Sequence, residues 1–174
     1  ALYAPGLGYY TAGSRKFGEG GDFVTAPELS PLFAQTLARQ LAALLPQTAG
    51  HLLEFGAGTG RLAADLLAEL EVLGQLPASY TIVDLSPDLI ERQRATLAER
   101  VPHLASRVQW AAALPAGFDG IMLGNEVLDA MPCELVSRNV DGTLQQRGVT
   151  VLDGAFCYED RPFIDAVLAG LAAD

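Results

Sequence analysis

A glycine-rich turn constrains the fold of this chain more than any other feature. A short apolar run ends at Glu54 and Phe55, and Gly56-Ala57-Gly58-Thr59-Gly60 follows before helical periodicity begins at Arg61. Glycines at alternate positions let the backbone turn tightly and leave space that side chains would otherwise fill. A helix that starts directly after such a turn presents its first N–H groups to negatively charged groups. The turn therefore predicts a strand, a tight loop and a helix, with a ligand held at the loop.

Patterns typical of strands and helices alternate along the next part of the chain. Strands are predicted at residues 51–55, 80–85, 107–111 and 118–123, and helices at residues 29–44, 61–73 and about 87–100. Pro46 ends the first helix, Ser30-Pro31 is an additional start signal, and Ser86 caps the third helix. Strands and helices at this spacing predict an α/β fold with a doubly wound, mostly parallel sheet and right-handed crossovers.

The pattern changes after Pro132. Residues 133–140 and 143–149 resemble two strands, and Asp141-Gly142 between them predicts a β-hairpin. A last short helix is predicted at residues 163–171. A doubly wound sheet usually has more strands than these, so we expect an incomplete sheet in a truncated chain. We interpret residues 1–174 as one domain, with an N-terminal loop and helix (1–46), a core (47–132) and a hairpin and tail (133–174).

The carboxyl edge of an open α/β sheet binds nucleotide-like cofactors, and two cofactor classes compete for this turn. Dinucleotide binders require a third glycine in G-x-G-x-x-G, and Arg61 occupies that position. The pattern E-x-G-x-G-x-G instead resembles the S-adenosylmethionine (SAM) motif of class I methyltransferases. An acidic residue suits the ammonium group of SAM, and backbone N–H groups of the turn suit its carboxylate. We therefore expect SAM to be held by Glu54, Gly56, Ala57, Gly58 and Gly60.

Asp84 is the second element of the predicted cofactor site. It ends the second predicted strand, 24 residues after Gly60, where a carboxylate can accept hydrogen bonds from both ribose hydroxyls. Taken alone, an aspartate there is more often a turn or cap residue, and glycine-rich turns also occur for packing reasons. The two features lie on consecutive strand–helix units, which favours a nucleotide-like cofactor. Leu85 follows Asp84 and is predicted to belong to the same site.

A polar segment follows the fourth predicted strand, on the same edge as the glycine turn. It contains Asn125, Glu126 and Asp129, and we expect these residues to face the cofactor crevice and act in catalysis. Carboxylates at this edge can hold a cationic acceptor such as a guanidinium through fork-like hydrogen bonds. Glu126 can also accept a proton from that acceptor. The alternative is that Asp129 caps a short helix and that Glu126 is only solvated.

Composition argues against several other functions. The chain has 11 basic and 21 acidic residues and a net charge of −10, which argues against a nucleic-acid partner. No apolar run approaches the ~20 residues that a membrane span needs. Cys133 and Cys157 lack metal-ligand spacing, and His51 and His103 stand apart, so we expect no metal site. Two free thiols suit a reducing cytoplasm.

Three motifs in the same order resemble those of one known family. The matching segments are Gly8-Tyr9-Tyr10, Phe17-Gly18 and GDFVTAPE (21–28) in the opening, EFGAGTG (54–60) in the SAM loop, and NEVLDAMP (125–132) after the fourth strand. By this resemblance the chain is identified as a member of the MidA-like SAM-dependent methyltransferases. The resemblance implies a class I Rossmann-like fold with an added antiparallel part. It also implies that Asp22 and Thr25 lie over the SAM pocket, although on residue grounds they could equally order the loop and cap the next helix.

The resemblance also bears on activity and partners. The family includes a mitochondrial protein arginine methyltransferase that acts on a subunit of respiratory complex I, so a protein arginine is a candidate acceptor. A bacterial cytoplasmic location is implied, or a mitochondrial one in a eukaryote. Family members often carry aromatics where this chain has Val127 and Leu128, so the acceptor surface is expected to differ. They are also longer, so a truncated chain is expected to lack part of the acceptor site and to be inactive alone. Two alternatives stay open: a non-catalytic SAM-binding assembly factor and a nicotinamide-dependent oxidoreductase.

Overall fold

The computed structural model describes Ala4, residues 7–9 and residues 24–173. The chain forms two compact units, and the boundary between them lies between Ala130 and Met131. This point is two residues from the sequence boundary that separates the predicted core from the hairpin and tail. Most of the predicted opening loop, including Asp22, lies outside the described residues.

The first unit is built on a four-stranded parallel sheet. In chain order it contains α1 (Ala26–Leu29), α2 (Leu32–Leu44), β1 (His51–Phe55), α3 (Arg61–Val72), β2 (Ser79–Val83), α4 (Pro87–Arg100), β3 (Val108–Ala111) and β4 (Gly120–Gly124). The strands lie in the order β3-β2-β1-β4, and every neighbouring pair is parallel. The α/β fold and the parallel sheet predicted from the sequence are confirmed, with strand ends within two residues of the predicted ones.

All four strands bring their carboxyl ends to one edge of the sheet. Phe55, the last residue of β1, is in register with Val83 of β2 and with Gly124 of β4. The chain runs from β1 outward through β2 to β3 and then returns to the other side of β1 as β4. The loops after β1 and β4 therefore flank the point where the strand order reverses, which is where open α/β sheets bind their ligands.

The helical region before β1 differs from its prediction in two ways. The helix predicted at residues 29–44 is interrupted, because α1 ends at Leu29 and the backbone is extended at Ser30. α2 begins after Pro31, at the predicted start signal. Ser30 Oγ accepts a hydrogen bond from the N–H of Leu32 at 3.2 Å. The buried face of α2 is formed by Ala34 and Ala38 together with Leu41, not by the whole stripe of large residues that predicted the helix. Small side chains on this face let α2 pack closely against α3.

A hydrophobic core joins these helices to the sheet. Leu52 and Leu53 of β1 are fully buried, as expected for a central strand that is covered on both faces. The core residues of α3 recur at helical spacing and include Leu62, Leu66, Leu67 and Leu70. Two polar side chains, Tyr80 and Gln93, are also fully buried, and both contribute to the site described below.

The second unit contains a three-stranded antiparallel sheet. Its strands are β5 (Leu135–Arg138), β6 (Leu144–Leu152) and β7 (Ala155–Arg161), in the order β5-β6-β7. The predicted hairpin is confirmed as β5 and β6, but the sequence analysis missed β7. The turn into β7 is Asp153-Gly154, where both residues have positive φ, 51° and 78°, as a two-residue type I′ hairpin turn requires. Arg147 and Asp160 face each other across β6 and β7 and form a bidentate ion pair.

The chain ends in a short apolar helix, α5 (Ala166–Ala173). Asp165 Oδ1 accepts hydrogen bonds from the N–H groups of Val167 at 2.8 Å and Leu168 at 3.3 Å. This cap sets the helix start three residues later than the predicted one at 163. Across the described ranges, no helix is both long and apolar enough to cross a bilayer.

Candidate functional site

Three loops meet at the carboxyl edge of the parallel sheet. The N–H of Gly56, directly after β1, donates to the carbonyl of Val83 at 3.0 Å, and the N–H of Asp84 donates to Ala111 at 3.2 Å. The loop after β4 reaches the same place, since a Cβ built on Gly56 would lie 3.4 Å from Cγ2 of Val127. The predicted cofactor turn, the predicted ribose-binding aspartate and the predicted acceptor segment are therefore neighbours.

The turn at residues 56–60 has the backbone that its glycines permit. Gly56, Gly58 and Gly60 all have left-handed φ values, of 55°, 54° and 83°. Gly60 donates its N–H to the carbonyl of Ala57 at 2.8 Å and closes the turn. Within the part of the chain that is described, the N–H groups of Ala57, Gly58 and Thr59 have no hydrogen-bond acceptor. Three unpaired donors in one turn can bind the carboxylate of an amino-acid-like ligand.

The glycines of this turn have different physical roles. A Cβ at Gly58 would have no heavy atom of the described residues within 4 Å, so this glycine borders space that they leave open. A Cβ at Gly60 would lie 2.9 Å from the Cα of Gln93, which is closer than real Cβ atoms approach backbone. Gly58 therefore leaves room for a ligand, whereas Gly60 lets the start of α3 pack against α4. The prediction that Gly60 belongs to the cofactor site stays untested, but its packing role is clear.

Asp84 follows β2 directly and its carboxylate is held on both sides. Its side chain is buried, Oδ1 accepts from the N–H of Ser86 at 2.9 Å, and Oδ2 accepts from Nε2 of Gln93 at 2.7 Å. Ser86 in turn caps α4 through the N–H of Leu89. Leu85 lies between them with its side chain 75% exposed, which leaves an apolar surface beside the carboxylate. The Asp84 carboxylate can accept hydrogen bonds from a diol, and the Leu85 side chain can pack against an aromatic base.

Gln93 is the polar centre of the site, and the sequence analysis missed it. Its side chain is completely buried, and its Nε2 donates to the carbonyl of Gly58 at 3.1 Å as well as to Asp84. Its Oε1 accepts from the indole Nε1 of Trp110 at 2.8 Å. α4 is otherwise a polar helix whose only other buried residue is Leu97. A glutamine at i and a leucine at i+4 mark the inward face of α4, which is the signal that could have identified Gln93.

Glu54 is buried beneath the turn, not exposed at its surface. Its Oε2 accepts a hydrogen bond from the phenol of Tyr80 at 2.8 Å. Burial raises the pKa of Glu54 to about 7, although the Tyr80 hydrogen bond lowers it, and the charge of Asp84 raises it further. Burial also raises the pKa of Tyr80 well above its usual range. The predicted contact between Glu54 and a cofactor ammonium stays a prediction.

A short helix connects the N-terminal region to the turn. Thr25 precedes α1 and makes no capping hydrogen bond with its side chain, so its alternative role as a side-chain cap is not observed. Glu28, at the end of the TAPE sequence, accepts a hydrogen bond from the hydroxyl of Thr59. Thr96 of α4 donates to the carbonyl of Thr59 at 2.7 Å. The turn is therefore held from both sides, and Glu28 is a second contact that the sequence analysis did not single out.

The predicted acceptor segment presents its acids to solvent. Glu126 is exposed and has a left-handed φ of 52°, which is unusual for a residue with a side chain. Asp129 is exposed within a 3₁₀ turn (Leu128–Ala130). Among the described residues, neither carboxylate has a hydrogen-bond or ion-pair partner. Asn125 is half-buried at the end of β4. Unpaired carboxylates beside the turn can bind a cation.

Arg61 has a structural role next to the turn. Its Nε donates to Oδ2 of Asp65 at 2.8 Å, and Nη2 of Arg100 donates to Oδ1 of the same carboxylate at 2.7 Å. The first ion pair lies within α3, and the second links α3 to the end of α4. The described residues hold no group of three or more His, Cys, Asp or Glu side chains that could bind a metal ion.

The chain matches known proteins along most of its length. Residues 32–173 match the profile of a family of S-adenosyl-L-methionine-dependent methyltransferases. The chain is 54% identical to a COG1565 superfamily member from Burkholderia thailandensis whose crystal structure has S-adenosyl-homocysteine bound. That match has a TM-score of 0.83 and covers 99% of this chain and 46% of the other.

Curated mitochondrial proteins are also similar to the chain. It is 28% identical over 180 residues to the protein arginine methyltransferase NDUFAF7 homolog of Caenorhabditis elegans, a match that covers 89% of this chain and 42% of that protein. It is 32% identical over 168 residues to the protein arginine methyltransferase NDUFAF7 of Danio rerio, covering 82% and 39%. The chain thus spans 42% and 39% of the lengths of these two relatives.

Proposed function

Because the chain belongs to the family of S-adenosyl-L-methionine-dependent methyltransferases, we propose that it holds SAM at the carboxyl edge of its parallel sheet as part of a protein methyltransferase. The observation that carries the proposal is the turn at residues 56–60. Among the described residues, three of its N–H groups have no acceptor, and no heavy atom lies within 4 Å of a Cβ built on Gly58. The amide nitrogen of Gln93 contacts both this turn and Asp84, so an amino-acid-binding and a diol-binding element lie together.

The residues of the turn and of the β2 loop suit different parts of SAM. The N–H groups of Ala57, Gly58 and Thr59 bind the carboxylate of its methionine part. Asp84 accepts hydrogen bonds from the ribose hydroxyls. Leu85 supplies an apolar face for the adenine. Gly56 and Gly60 give the turn its shape, and the predicted contacts of Asp22 and Thr25 belong to the same proposal.

Glu54 contributes to this site through its charge. An ammonium group above the turn stabilises the ionised form of a carboxylate whose pKa is otherwise raised to about 7 by burial. Binding of SAM then releases a proton from the fraction of Glu54 that is protonated in the free protein. Tyr80 keeps the carboxylate in place in both states through its hydrogen bond.

We assign the acceptor role to Asn125, Glu126 and Asp129. The acceptor class is a protein arginine, which is the substrate class in the names of the mitochondrial relatives. Two exposed carboxylates that have no partner in the described ranges suit a guanidinium, because it presents paired N–H donors to carboxylates. The left-handed backbone at Glu126 is uncommon for a residue with a side chain, and such conformations occur most often at functional sites.

Glu126 and its neighbours act on the acceptor, not on the methyl donor. When bound, SAM supplies an electrophilic methyl group, and its transfer to a nitrogen breaks the sulfur–carbon bond and releases one proton. Glu126 orients the guanidinium with one nitrogen toward the cofactor and accepts that proton. Asp129 keeps the remaining positive charge of the guanidinium in place. Asn125, half-buried at the end of β4, orients the acceptor segment.

For the cellular location we propose the cytoplasm of a bacterium. The chain is 54% identical to the Burkholderia thailandensis protein but 28% and 32% identical to two mitochondrial proteins. A subunit of a respiratory complex, which the sequence resemblance implies, is the first acceptor protein to test.

The cofactor proposal is tested by calorimetry with S-adenosyl-homocysteine and with NAD on the same preparation. We expect S-adenosyl-homocysteine to bind and NAD to give no heat. Binding of NAD in preference would overturn the proposal.

The activity proposal is tested with methyl-labelled SAM and a bacterial lysate, followed by identification of the modified residue. We expect label on arginine, and we expect Glu126→Gln to lower the rate by about 100-fold. Glu99→Gln is a matched control, because Glu99 is an exposed glutamate on α4 that lies outside the three loops. Bound cofactor without any labelled protein would favour a non-catalytic assembly factor instead. A wild-type rate in Glu126→Gln would remove Glu126 from the mechanism.

A further inference from the structure

The hydrogen bonds of Gln93 use every polar group of its side chain. One amide hydrogen goes to Gly58 at 3.1 Å, the other to Asp84 at 2.7 Å, and the carbonyl accepts from Trp110 at 2.8 Å. The side chain is fully buried, so each lost partner would leave an unsatisfied polar group away from water. These three hydrogen bonds indicate that Gln93 has a role at the site beyond packing in the core.

The orientation of this amide is fixed by Trp110. An indole N–H only donates, so the oxygen of Gln93 must face it, and the NH₂ group must face the opposite side. The NH₂ group therefore always meets the Asp84 carboxylate and the Gly58 carbonyl. The guanidinium of Arg94 lies over the Trp110 ring, 4.8 Å from its centroid, and keeps the indole in position.

The contact with Gly58 orients a donor in the turn. A trans peptide is planar, and its C=O and N–H groups point in opposite directions. Because the Gly58 carbonyl points to Gln93, the N–H of Thr59 points away from α4. Thr96, one turn further along α4, holds the next carbonyl of the turn at 2.7 Å. Gln93 thus fixes the direction of the Thr59 N–H, and Thr96 fixes the next peptide of the turn, whose N–H belongs to Gly60.

The contact with Asp84 orients the second half of the site. Ser86 and Gln93 each occupy one oxygen of this carboxylate, so the plane of the carboxylate cannot rotate. Each oxygen keeps one further lone pair. A vicinal diol needs two acceptors at a fixed separation and angle, and a carboxylate that is already fixed loses no rotational freedom when the diol binds.

We propose that Gln93 is a positioning residue that sets the affinity of this site for the ribose diol of its ligand, by holding the Asp84 carboxylate and the Gly58 carbonyl in one arrangement. The inference rests on the proposed function, since it concerns the same cofactor. It adds a residue that never touches the ligand but determines how well the ribose is recognised.

The test compares S-adenosyl-homocysteine with its 2′-deoxy analogue, using calorimetry on the wild type and on Gln93→Met. The wild type is expected to prefer the ribose ligand by at least about tenfold, because the analogue leaves a lone pair of Asp84 without its donor. Gln93→Met is expected to bind the analogue about threefold more weakly, because the Thr59 N–H is less well oriented, and the ribose ligand about 30-fold more weakly, so the preference falls toward one. Equal loss for both ligands, or no loss, would overturn the proposal.

Two further variants separate positioning from stability. Arg100→Met weakens the same contact between α3 and α4 without touching Gly58 or Asp84, and it should leave the ligand preference unchanged. Trp110→Phe removes only the donor that fixes the amide, and it should lower the preference by about threefold. If Gln93→Met does not fold, an unchanged preference in Trp110→Phe overturns the proposal. A wild type that binds neither ligand would instead overturn the proposed function.

Discussion

The phenol of Tyr80 donates a hydrogen bond to Oε2 of Glu54 at 2.8 Å, and both side chains are buried in the first unit. β1 and β2 are parallel neighbours, so the two residues come from strands whose order the sheet fixes. The pair lies directly below the glycine turn, because Glu54 is two residues before Gly56. Protonation or ionisation of Glu54 therefore changes the charge directly below the proposed ligand site.

The buried Glu54 should make the stability of the protein depend on pH. Its pKa is about 7 in the folded protein and 4.5 ordinarily, so the folded state binds more protons than the unfolded state between these values. The contribution of Glu54 to stability is therefore greatest below about pH 4.5 and falls as the pH rises. It is constant above about pH 7, after a total loss of about 3 kcal/mol. Glu54→Gln should lack this loss, which urea unfolding at pH 5 and pH 8 would measure.

Two controls define this prediction. Glu99→Gln changes an exposed glutamate and should leave the pH dependence as in the wild type. Tyr80→Phe removes the hydrogen bond that lowers the pKa of Glu54, so the loss of stability should extend to higher pH. Parallel stability curves for the wild type and Glu54→Gln would contradict the prediction.

The two glycines of the turn should respond differently to alanine. Gly60→Ala combines a left-handed φ with a Cβ 2.9 Å from backbone, and we expect it to lower the free energy of unfolding by about 2–5 kcal/mol. The methyl group of Gly58→Ala meets no heavy atom within 4 Å in the described part of the chain, so this change should cost only about 1–2 kcal/mol. Its methyl group lies where the ligand is proposed to bind, so it should weaken S-adenosyl-homocysteine binding at least about tenfold. Urea unfolding and calorimetry check both, and the reverse order of stabilities would contradict the packing role of Gly60.

The sequence was informative where the signals are local. The glycine spacing identified the turn after β1, and Ser86-Pro87 identified the start of α4, because a cap and a turn need only neighbouring residues. The motif pattern indicated the family, and the family match confirms it. The strand β7 was missed although its type I′ turn at Asp153-Gly154 is also a local signal.

Contacts between distant residues were not predictable in the same way. Gln93 is 35 residues from Gly58, and its role depends on how α4 packs against the turn. The partner of Glu54 is Tyr80, 26 residues away, and no pattern in the sequence favours that pairing over solvent exposure. The same holds for Asp65, which the sequence analysis did not single out and which binds Arg61 of its own helix and Arg100 of α4.

Asp65 should stabilise the contact between α3 and α4. Asp65→Ala leaves Arg61 and Arg100 without their shared partner, and we expect a loss of about 1–2 kcal/mol. The loss is smaller than for a fully buried pair because both guanidiniums are partly exposed. Thermal unfolding of Asp65→Ala, Arg100→Met and the double variant measures the coupling. Strictly additive losses would show that Asp65 and Arg100 do not stabilise each other.

At residue 126, we expect glycine to favour stability and glutamate to be required for activity. Its φ of 52° is disfavoured for a residue with a Cβ but not for glycine, so Glu126→Gly should raise the free energy of unfolding by about 1 kcal/mol. Glu126→Gln keeps the Cβ and should leave stability unchanged. Both variants should lose methyl transfer, since both lack the carboxylate that accepts the proton, while S-adenosyl-homocysteine binding stays at the wild-type level. Urea unfolding, calorimetry and the labelled-methyl assay on the three proteins check this combination. A Glu126→Gly variant that is less stable than the wild type would show that the left-handed backbone is not strained.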